Sequence, residues 1–385
     1  MGRYRILLAL FCLSCGSKPN TSSDVAAPAR PQQASAQPRA RIATLTRPTD
    51  AEKPKEPVSH QAAARIPGAQ RILFAAASPQ AEEIFILAQT SNDTYGGAFF
   101  VVRLDRIENQ IEELMGGMNL TDPDAPLWSR DGEKAYFIFD TERYRHPERP
   151  YDHGLFAWDH ESGKVMQILN DSIGGLAITA DGSLAAFWDY SAGDRLTLYD
   201  LKVKRVIRSW PGQVHSEDDL VLSDLAFTPD GKSLLAQLYA PNENAVMKYD
   251  IDSGAVSTFA NDVQSFATIA DSTFLLQFVP VPFTAPEHPH KLTRWTAAAL
   301  QPVKVVEDFH YDKLAAEDNR WIVGESGIGY GRGTAIYDTQ TGEIQTAGKN
   351  CNSAVVTGKG RFLYIFGNEL IDDPALCDGP PPIPQ

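Results

Sequence analysis

A short turn signature recurs along most of this chain and limits the folds that the chain can adopt. An apolar strand leads into Asp-Gly or a close equivalent, and a second apolar strand follows. The Asp position recurs at residues 80, 131, 181, 230, 271, 318 and 359, with Gln in the first copy and Lys in the last. Asp-Gly is typical of a two-residue hairpin turn in which both residues take positive φ. The intervals of 41 to 51 residues therefore indicate a repeat built from antiparallel strands.

A second signature lies in phase with the first. An aromatic residue followed by Asp ends a later strand in four repeats, at Trp158-Asp159, Tyr199-Asp200, Tyr249-Asp250 and Tyr337-Asp338. In three of these repeats Gly follows four residues after the Asp. A further strand comes next, and no long helical periodicity intervenes. Four short strands in each repeat predict an all-β fold, a β-propeller.

The repeats resemble those of WD40, YVTN and TolB-type propellers, whose blades carry a Ser-Pro-Asp-Gly-like turn and a terminal aromatic-Asp pair. Thr228-Pro229-Asp230-Gly231 is the closest copy. The resemblance covers about residues 70–379, and seven copies imply seven four-stranded blades. Six or eight blades, or a pair of β-sandwiches, are the alternatives. We therefore expect three segments: a lipoprotein signal peptide at 1–14, a Pro/Ala-rich disordered tether at 15–66, and the propeller with a C-terminal tail at 67–385.

The last repeat is incomplete, because only a tail follows its inner strands. Ring closure then needs an outer strand from elsewhere, and we expect it between the tether and Arg71. Two cysteines, Cys351 and Cys377, flank this last repeat. In an exported domain they are expected to form a disulfide that holds the tail on the ring, two free thiols being the alternative.

The N-terminus has the form of an export signal. Arg3 and Arg5 precede a short apolar run at residues 6–13. Residues 12–17 resemble a bacterial lipobox, in which the small residue Ser14 precedes a Cys15 that is lipidated; Cys12 stands where the family usually has Leu. An ordinary signal peptide is the alternative. The resemblance implies an exported protein of the bacterial cell envelope, lipid-anchored to the outer membrane or periplasmic face.

The segment that follows has the composition of a linker. Residues 16–66 contain seven prolines and few large apolar residues, so they bury too little surface to offset the entropy of ordering. A flexible chain of this length spans roughly 40 Å. The whole chain carries −14, but residues 16–66 carry +4 and residues 67–385 carry −20. So acidic a body argues against binding nucleic acid through its phosphates, and contact with a membrane is expected through the lipid anchor only.

One face of the propeller is predicted to bind a partner. If the strands of a blade are named a to d from the axis outwards, the b–c and d–a connections share one face, and the long insertions fall there. Loops on a rigid scaffold commonly carry binding residues. The predicted binding residues are Tyr144, His146, Tyr151, His153, His215, Phe283, His288, His290, Tyr311, Tyr330 and Arg332.

Enzymatic signatures are weaker. His288-Pro289-His290 is interpreted as loop histidines rather than metal ligands, and Gly324-Glu325-Ser326-Gly327-Ile328 lacks the final Gly of a nucleophile elbow. Asp122-Pro123-Asp124 is interpreted as solvated acidic surface. The innermost strands are expected to carry mainly small or apolar residues, with Glu317 one exception. We therefore expect a non-enzymatic binding or scaffold propeller that recognises a protein, peptide or envelope component, with no cofactor or metal; the alternative is a lyase, lactonase or quinoprotein-like enzyme with an axial site.

Fatty-acid labelling tests the predicted anchor. Cells that express the protein are grown with a radioactive fatty acid. The native protein is expected to become labelled and the Cys15→Ala variant is not, because Cys15 supplies the acylated sulfur. A Cys12→Ala variant is the matched control and should retain the label. Equal labelling of the native and Cys15→Ala proteins would exclude lipidation at Cys15.

Overall fold

The computed structural model describes residues 62–90, 96–104, 109–120, 124–140, 153–191, 193, 195–211, 224–240, 243–269, 271–278, 290–296, 304–306, 309, 311, 313–317, 320–325 and 333–378. These residues form seven antiparallel sheets of four strands each. The innermost strands of successive blades pack against one another, and between blades 6 and 7 the second strand of blade 6 makes the contact, so the blades form a closed ring. The predicted seven-bladed β-propeller is confirmed, and the alternative of paired β-sandwiches is wrong.

The first strand of the chain, β1 (Ala64–Arg65), belongs to the last blade. Blades 1 to 4 follow in chain order, each with its strands a to d from the axis outwards. Their strands are β2 (Arg71–Ala77), β3 (Glu83–Gln89), β4 (Gly96–Arg103) and β5 (Gln110–Asn119); β6 (Leu127–Trp128), β7 (Lys134–Asp140), β8 (His153–Asp159) and β9 (Lys164–Leu169); β10 (Ile173–Ile178), β11 (Leu184–Asp189), β12 (Arg195–Asp200) and β13 (Arg205–Trp210); β14 (Leu225–Phe227), β15 (Ser233–Ala240), β16 (Glu243–Asp250) and β17 (Val256–Asn261).

Blades 5 to 7 complete the ring. Their strands are β18 (Val263–Ile269), β19 (Ser272–Phe278), β20 (His290–Thr296) and β21 (Lys304–Val306); β22 (Lys313–Glu317), β23 (Trp321–Glu325), β24 (Ala335–Asp338) and β25 (Ile344–Thr346); β26 (Ser353–Val356), β27 (Phe362–Phe366) and β28 (Glu369–Ile371), with β1 outermost. A 3-10 helix, Pro374–Asp378, follows β28. No helix in the described part of the chain is long and apolar enough to cross a membrane.

The a–b turns are held by side chains rather than by the turn type expected from Asp-Gly. Only the Gly has positive φ, 71° at Gly132, so the expectation of positive φ at both residues is wrong. The backbone turns from Ser129 to Gly132, whose N–H donates to the Ser129 carbonyl at 2.9 Å. The Ser129 hydroxyl donates to Asp131 at 2.6 Å and accepts the Lys134 N–H at 3.0 Å. Thr179 and Thr228 repeat this lock in blades 3 and 4, so these turns stay short.

The aromatic-Asp pairs close the turn from strand c to strand d. The aromatic ring is buried in the blade, as with Trp158, and the Asp carboxylate accepts backbone N–H groups of the turn. Four residues later the backbone takes positive φ, at Gly163, Gly254 and Gly342. In blade 3 the same place is held by Lys204, whose φ is 53°. A non-Gly residue in this conformation is strained, because its Cβ crowds the backbone.

Blade 7 is closed by both ends of the described chain. Strand β1 pairs with β28 through Ala64 opposite Leu370 and Arg65 opposite Glu369. The closing strand thus comes from the N-terminal side as expected, but it lies at Ala64–Arg65, inside the segment predicted as tether. Small alanines made this segment resemble a linker, yet Ile66 beside them is fully buried.

The C-terminal side of blade 7 is covalently fixed. Cys351 and Cys377 form the predicted disulfide, and both are fully buried. The bond joins the 3-10 helix to the connection that leads into β26, and Asn350 N–H donates to the Cys377 carbonyl at 3.0 Å. Closing a loop of 26 residues stabilises the fold by about 3.5 kcal/mol on the loop-entropy model.

The strain at Lys204 predicts opposite effects at two equivalent turns. Lys204→Gly is expected to raise the free energy of unfolding by roughly 0.5–1 kcal/mol, because Gly adopts the left-handed conformation without a Cβ clash. Gly163→Ala is expected to lower the free energy of unfolding by about 1 kcal/mol. A Cβ at Gly163 would have no atom within 4 Å, so this variant isolates the backbone effect. Urea unfolding measures both; destabilisation by Lys204→Gly would contradict the assignment of strain.

Candidate functional site

Charged and polar residues gather where the innermost strands begin, on the b–c/d–a face. We call this group the axial cluster. Each blade supplies at least one member, within strand a, just before it, or at the end of strand b, and the Phe74 ring and the Gly175 backbone join the charged and polar side chains. In order of blade, the members are Phe74, Asp124, Gly175, Asp224, Ser265, Lys313 with Glu325, and Ser353.

Lys313 lies at the axis of the ring. Its Nζ is 3.5 Å from Asp224 Oδ1 and 5.4 Å from the centroid of the Phe74 ring. Lys313 belongs to blade 6, whereas Asp224 belongs to blade 4 and Phe74 to blade 1, and neither of those blades is next to blade 6. A side chain can contact both only across the axis. The Lys313 side chain is 44% exposed and that of Asp224 18%, so the cluster is open to solvent.

Local backbone geometry positions the carboxylates. The pairing of β10 with β11 shifts register between Gly174 and Leu176, which leaves Gly175 in a bulge with φ of 59°. The N–H of Gly175 donates to Asp124 Oδ2 at 3.0 Å, so this carboxylate of blade 2 is held by blade 3. Glycine suits the bulge because its backbone adopts positive φ without strain.

Two serines link the later blades. Ser265 accepts the Leu314 N–H at 3.1 Å, and its hydroxyl lies 3.5 Å from Asp224 Oδ2. The Ser353 hydroxyl donates to the carboxylate of Glu325. Blades 4 to 7 are therefore connected through hydrogen bonds to the same charged groups.

Opposing effects set the pKa of Lys313. Its burial acts to lower the pKa of this ammonium group, but the carboxylates of Asp224, Glu325 and Asp124 act in the other direction, and the pKa is raised. Burial raises the pKa of Glu325, against the hydrogen bond from Ser353 and the attraction of Lys313. Lys313 therefore keeps its proton at neutral pH, and it is not poised to act as a base or a nucleophile.

The axial cluster is suited to bind a cation. The carboxyl groups of Asp124 and Asp224 outnumber the ammonium group of Lys313 even without Glu325, whose pKa is raised, so a further positive group that enters from the b–c/d–a face is attracted. Within the described ranges, no three His, Cys, Asp or Glu side chains lie close enough to hold one metal ion.

Three of the predicted binding residues are described by the structure. His153 and His290 begin strands β8 and β20, and Tyr311 lies in the connection that leads into β22. His290 is buried, with its ring 4.9 Å from that of Phe278. The other eight lie outside the described residues: Tyr144, His146, Tyr151, His215, Phe283, His288, Tyr330 and Arg332.

Tyr311 borders the axial cluster. Its ring centroid is 4.8 Å from that of Phe309. A Cβ added at Gly324 would come within 2.7 Å of the Tyr311 ring, so the ring packs directly on the backbone next to Glu325. Tyr311 is therefore the described binding candidate that adjoins the charged group; a binding role for it and for the other ten stays a prediction.

Sequence reasoning missed most of the axial cluster. The innermost strands were expected to be almost free of charge apart from Glu317, yet Lys313 begins one of them. Glu317 lies at the opposite end of the same strand, where its carboxylate accepts the Val356 N–H and links blades 6 and 7. Asp124, expected on a solvated acidic surface, is half-buried and bonded to Gly175. The available signal was a charged residue at or just before the start of strand a in most repeats.

Comparison with known proteins shows the fold and nothing finer. No protein-family model matches the chain, and no curated protein sequence matches it. The solved oligogalacturonate lyase from Vibrio parahaemolyticus is 10% identical over 78% of this chain and 89% of its own, with a TM-score of 0.53. The β-propeller domain of the Trilobed protease from Pyrococcus furiosus is 13% identical over 78% of this chain and 93% of its own, with a TM-score of 0.51.

A third structure, TolB from Acinetobacter baumannii, is 14% identical over 73% of this chain and 67% of its own. Its TM-score of 0.46 supports no argument. At these identities the likeness shows the fold alone. The predicted β-propeller fold is therefore confirmed, while the finer resemblance to WD40 and TolB-type propellers, export and lipidation stay predictions.

The raised pKa of Glu325 predicts a pH-dependent effect of its replacement. The folded state holds the Glu325 proton more tightly than the unfolded state, whose carboxyl group has the ordinary pKa of 4.5. The resulting contribution to stability is complete below pH 4.5 and is lost as pH rises through the raised pKa of the folded state. Glu325→Gln is therefore expected to increase the free energy of unfolding more at about pH 8 than at about pH 4. Glu343→Gln, at an exposed position of the same blade, is the control. The same increase at both pH values in urea unfolding would contradict the assignment.

Proposed function

We propose that this chain is a membrane-anchored binding protein of the bacterial envelope. The propeller recognises a protein, peptide or envelope component through its b–c/d–a face. The axial cluster receives a cationic group of that partner, and the connections around it supply further contacts. Cys15 carries the lipid, and the segment after it tethers the propeller.

The axial cluster is the observation that carries this proposal. Its carboxyl groups Asp124 and Asp224 outnumber its one ammonium group, Lys313, even without Glu325, and the side chains of Lys313 and Asp224 are partly exposed. Electrostatic complementarity of this kind favours association with a partner of opposite charge and disfavours partners of like charge. The cluster also opens on the face that holds the long connections, so a partner seated there contacts both.

The anchor is supported by the sequence. Arg3 and Arg5, the short apolar run, and the Ser14-Cys15 pair have the order of a lipoprotein signal. The buried disulfide is consistent with export, because disulfides persist in oxidising compartments.

An axial active site is the second candidate. Burial raises the pKa of Glu325, and a carboxyl group with a raised pKa is better suited to general acid catalysis than an ordinary one. Lyases occur on this fold, as the Vibrio parahaemolyticus structure shows for that protein. Lys313 keeps its proton, so in such an enzyme it would stabilise negative charge rather than accept a proton. Turnover of a substrate that is lost in Glu325→Gln would favour this candidate over binding alone.

Short peptides test the binding proposal. A peptide of Ala and Ser with one variable central residue, namely Arg, Lys, norleucine or Glu, is titrated into the full chain by calorimetry. The Arg and Lys peptides are expected to bind more tightly than the norleucine and Glu peptides, and this preference should weaken as salt increases. Asp224→Asn should weaken binding of the Arg peptide about tenfold, because a hydrogen bond to a charged group is lost.

Asp252→Asn is the matched control for that titration. Asp252 is exposed in the c–d turn of the same blade, on the opposite face, so the variant has the same change of charge. It should bind the Arg peptide as the native chain does. Equal affinity for the Arg and Glu peptides, or equal weakening by the two variants, would overturn the role of the axial cluster.

A further inference from the structure

The exposed apolar side chains of this protein are concentrated on one arc of the rim. Among the described residues, five of the six large apolar side chains that are exposed lie on the outer strands or c–d turn of blades 2, 3 and 4. Blade 3 contributes three of them, Val203, Val206 and Ile207, which are 58%, 53% and 47% exposed. Met166 and Val256 are exposed on the outer strands of the two neighbouring blades. An apolar area of this kind on an outer edge indicates an interaction surface.

The same part of blade 3 is basic. Residues 201–210 contain Lys202, Lys204, Arg205 and Arg208 and no acidic residue, within a body that carries −20. Lys202, Lys204 and Arg205 are exposed, and Arg208 donates to the Asp252 carbonyl at 3.1 Å. We call residues 202–208 the blade-3 rim patch. A surface that adheres to it must be anionic and must accept apolar side chains.

Strand β13 departs from the pattern of the other outer strands. In blade 3, Val206 pairs with Tyr199 and Arg208 with Leu198, so Ile207 is the unpaired residue of a β-bulge. The corresponding bulged residues of three other blades are half-buried and pack on the cores between blades. They are Leu114 in blade 1, Ile168 in blade 2 and Phe259 in blade 4. Ile207 therefore leaves exposed an apolar side chain that the equivalent positions bury.

Lys204 stands where the c–d turns of three other blades have glycine. Gly163, Gly254 and Gly342 hold the corresponding place in other blades, whereas Lys204 has a strained φ of 53°. A cation at this place of the turn therefore reduces the stability of the fold. Strain of this kind is commonly found where a side chain serves a function.

The rim patch lies on the side of the ring where the described chain begins. Strand β28 runs from the b–c turn towards the c–d side, and β1 pairs with it antiparallel. Residue 62 therefore joins the ring on the a–b/c–d side. The rim patch lies on the same side, because it spans the c–d turn and the first residues of strand d.

We infer that the blade-3 rim patch is a docking surface for an anionic lipid bilayer. This inference rests on the proposed membrane anchoring, and it adds a contact through the protein to the membrane contact that the sequence assigned to the lipid anchor alone. Lysine and arginine side chains approach the anionic headgroups, while Val203, Val206 and Ile207 enter the interface. Docking places the outer edge of blade 3 against the membrane and leaves the axial cluster, at the centre of the ring, away from it. Each cation near such a surface strengthens binding about fivefold.

Vesicle flotation tests this docking surface. The full chain with Cys15→Ser is mixed with vesicles of phosphatidylcholine and phosphatidylglycerol, or of phosphatidylcholine alone. The Cys15→Ser change removes the predicted lipid, so the result does not depend on whether the native chain is lipidated. Binding is expected to the anionic vesicles, weaker binding to the neutral vesicles, and loss of binding as salt increases.

Two variants separate the charges from the apolar side chains. Lys204→Glu with Arg205→Glu should weaken binding to the anionic vesicles at least tenfold, and Val206→Ser with Ile207→Ser about fivefold or more. Arg195→Glu with Lys349→Glu is the matched control, because it makes the same charge change at exposed positions on the opposite face. It should bind within about twofold of the parent. Thermal unfolding of each variant verifies that it is folded.

Three results would overturn the inference. The first is that the Cys15→Ser chain does not float with anionic vesicles. The second is that the two charge-reversal pairs weaken binding equally. The third is that the charge-reversal and the serine variants of the rim patch both bind as the Cys15→Ser chain does. The last result would leave the patch to an acidic protein partner instead. Failure of the peptide titration would contradict the axial cluster without affecting this test. Failure of fatty-acid labelling would contradict the anchor, while the vesicle result would still stand.

Discussion

Ring closure depends on a short antiparallel pairing between the beginning and the end of the described chain. Ala64 and Arg65 supply the fourth strand of blade 7, and Arg65 forms an ion pair with Glu369 across it. Around this strand Ile66 donates to the Asn368 carbonyl at 3.0 Å, and the Asn368 side chain donates to the Ala69 carbonyl at 3.0 Å. Every blade then has two neighbours, which keeps the inner strands close enough for their charged residues to meet at the axis. The closing strand also decides on which side the preceding segment joins the ring.

Most of the fold could be predicted from local patterns. The turns and the middle strands repeat the same residue types, because each blade must form the same short turns and bury the same two faces. Two features could not be found in that way. Strand β1 has no apolar alternation, so only its pairing with β28 reveals it. Lys313 meets Asp224 and Phe74 because distant repeats converge at the axis, and a pattern within one repeat contains no information on that convergence.

The candidate site was therefore predicted in its location more than in its chemistry. The b–c/d–a face was found from loop lengths, and Tyr311 adjoins the charged residues as a member of the predicted set. The charged residues themselves were assigned to surface or overlooked. Asp124 has the composition of a solvated acidic segment, and only the bulge at Gly175 shows why its carboxylate is held in place. Carboxyl groups outnumber the ammonium group at the axis, whereas cations dominate the blade-3 rim patch.

The disulfide has a consequence for the order in which the ring assembles. Cys351 and Cys377 are 26 residues apart, whereas β1 and β28 are separated by about 300 residues. The shorter loop closes at a smaller entropic cost, so oxidation can organise the last blade before the N-terminal strand arrives. Strand β1 then docks on a partner that is already formed. Assembly of the ring is in this way coupled to the redox conditions of the compartment, and a reducing environment would delay its final step.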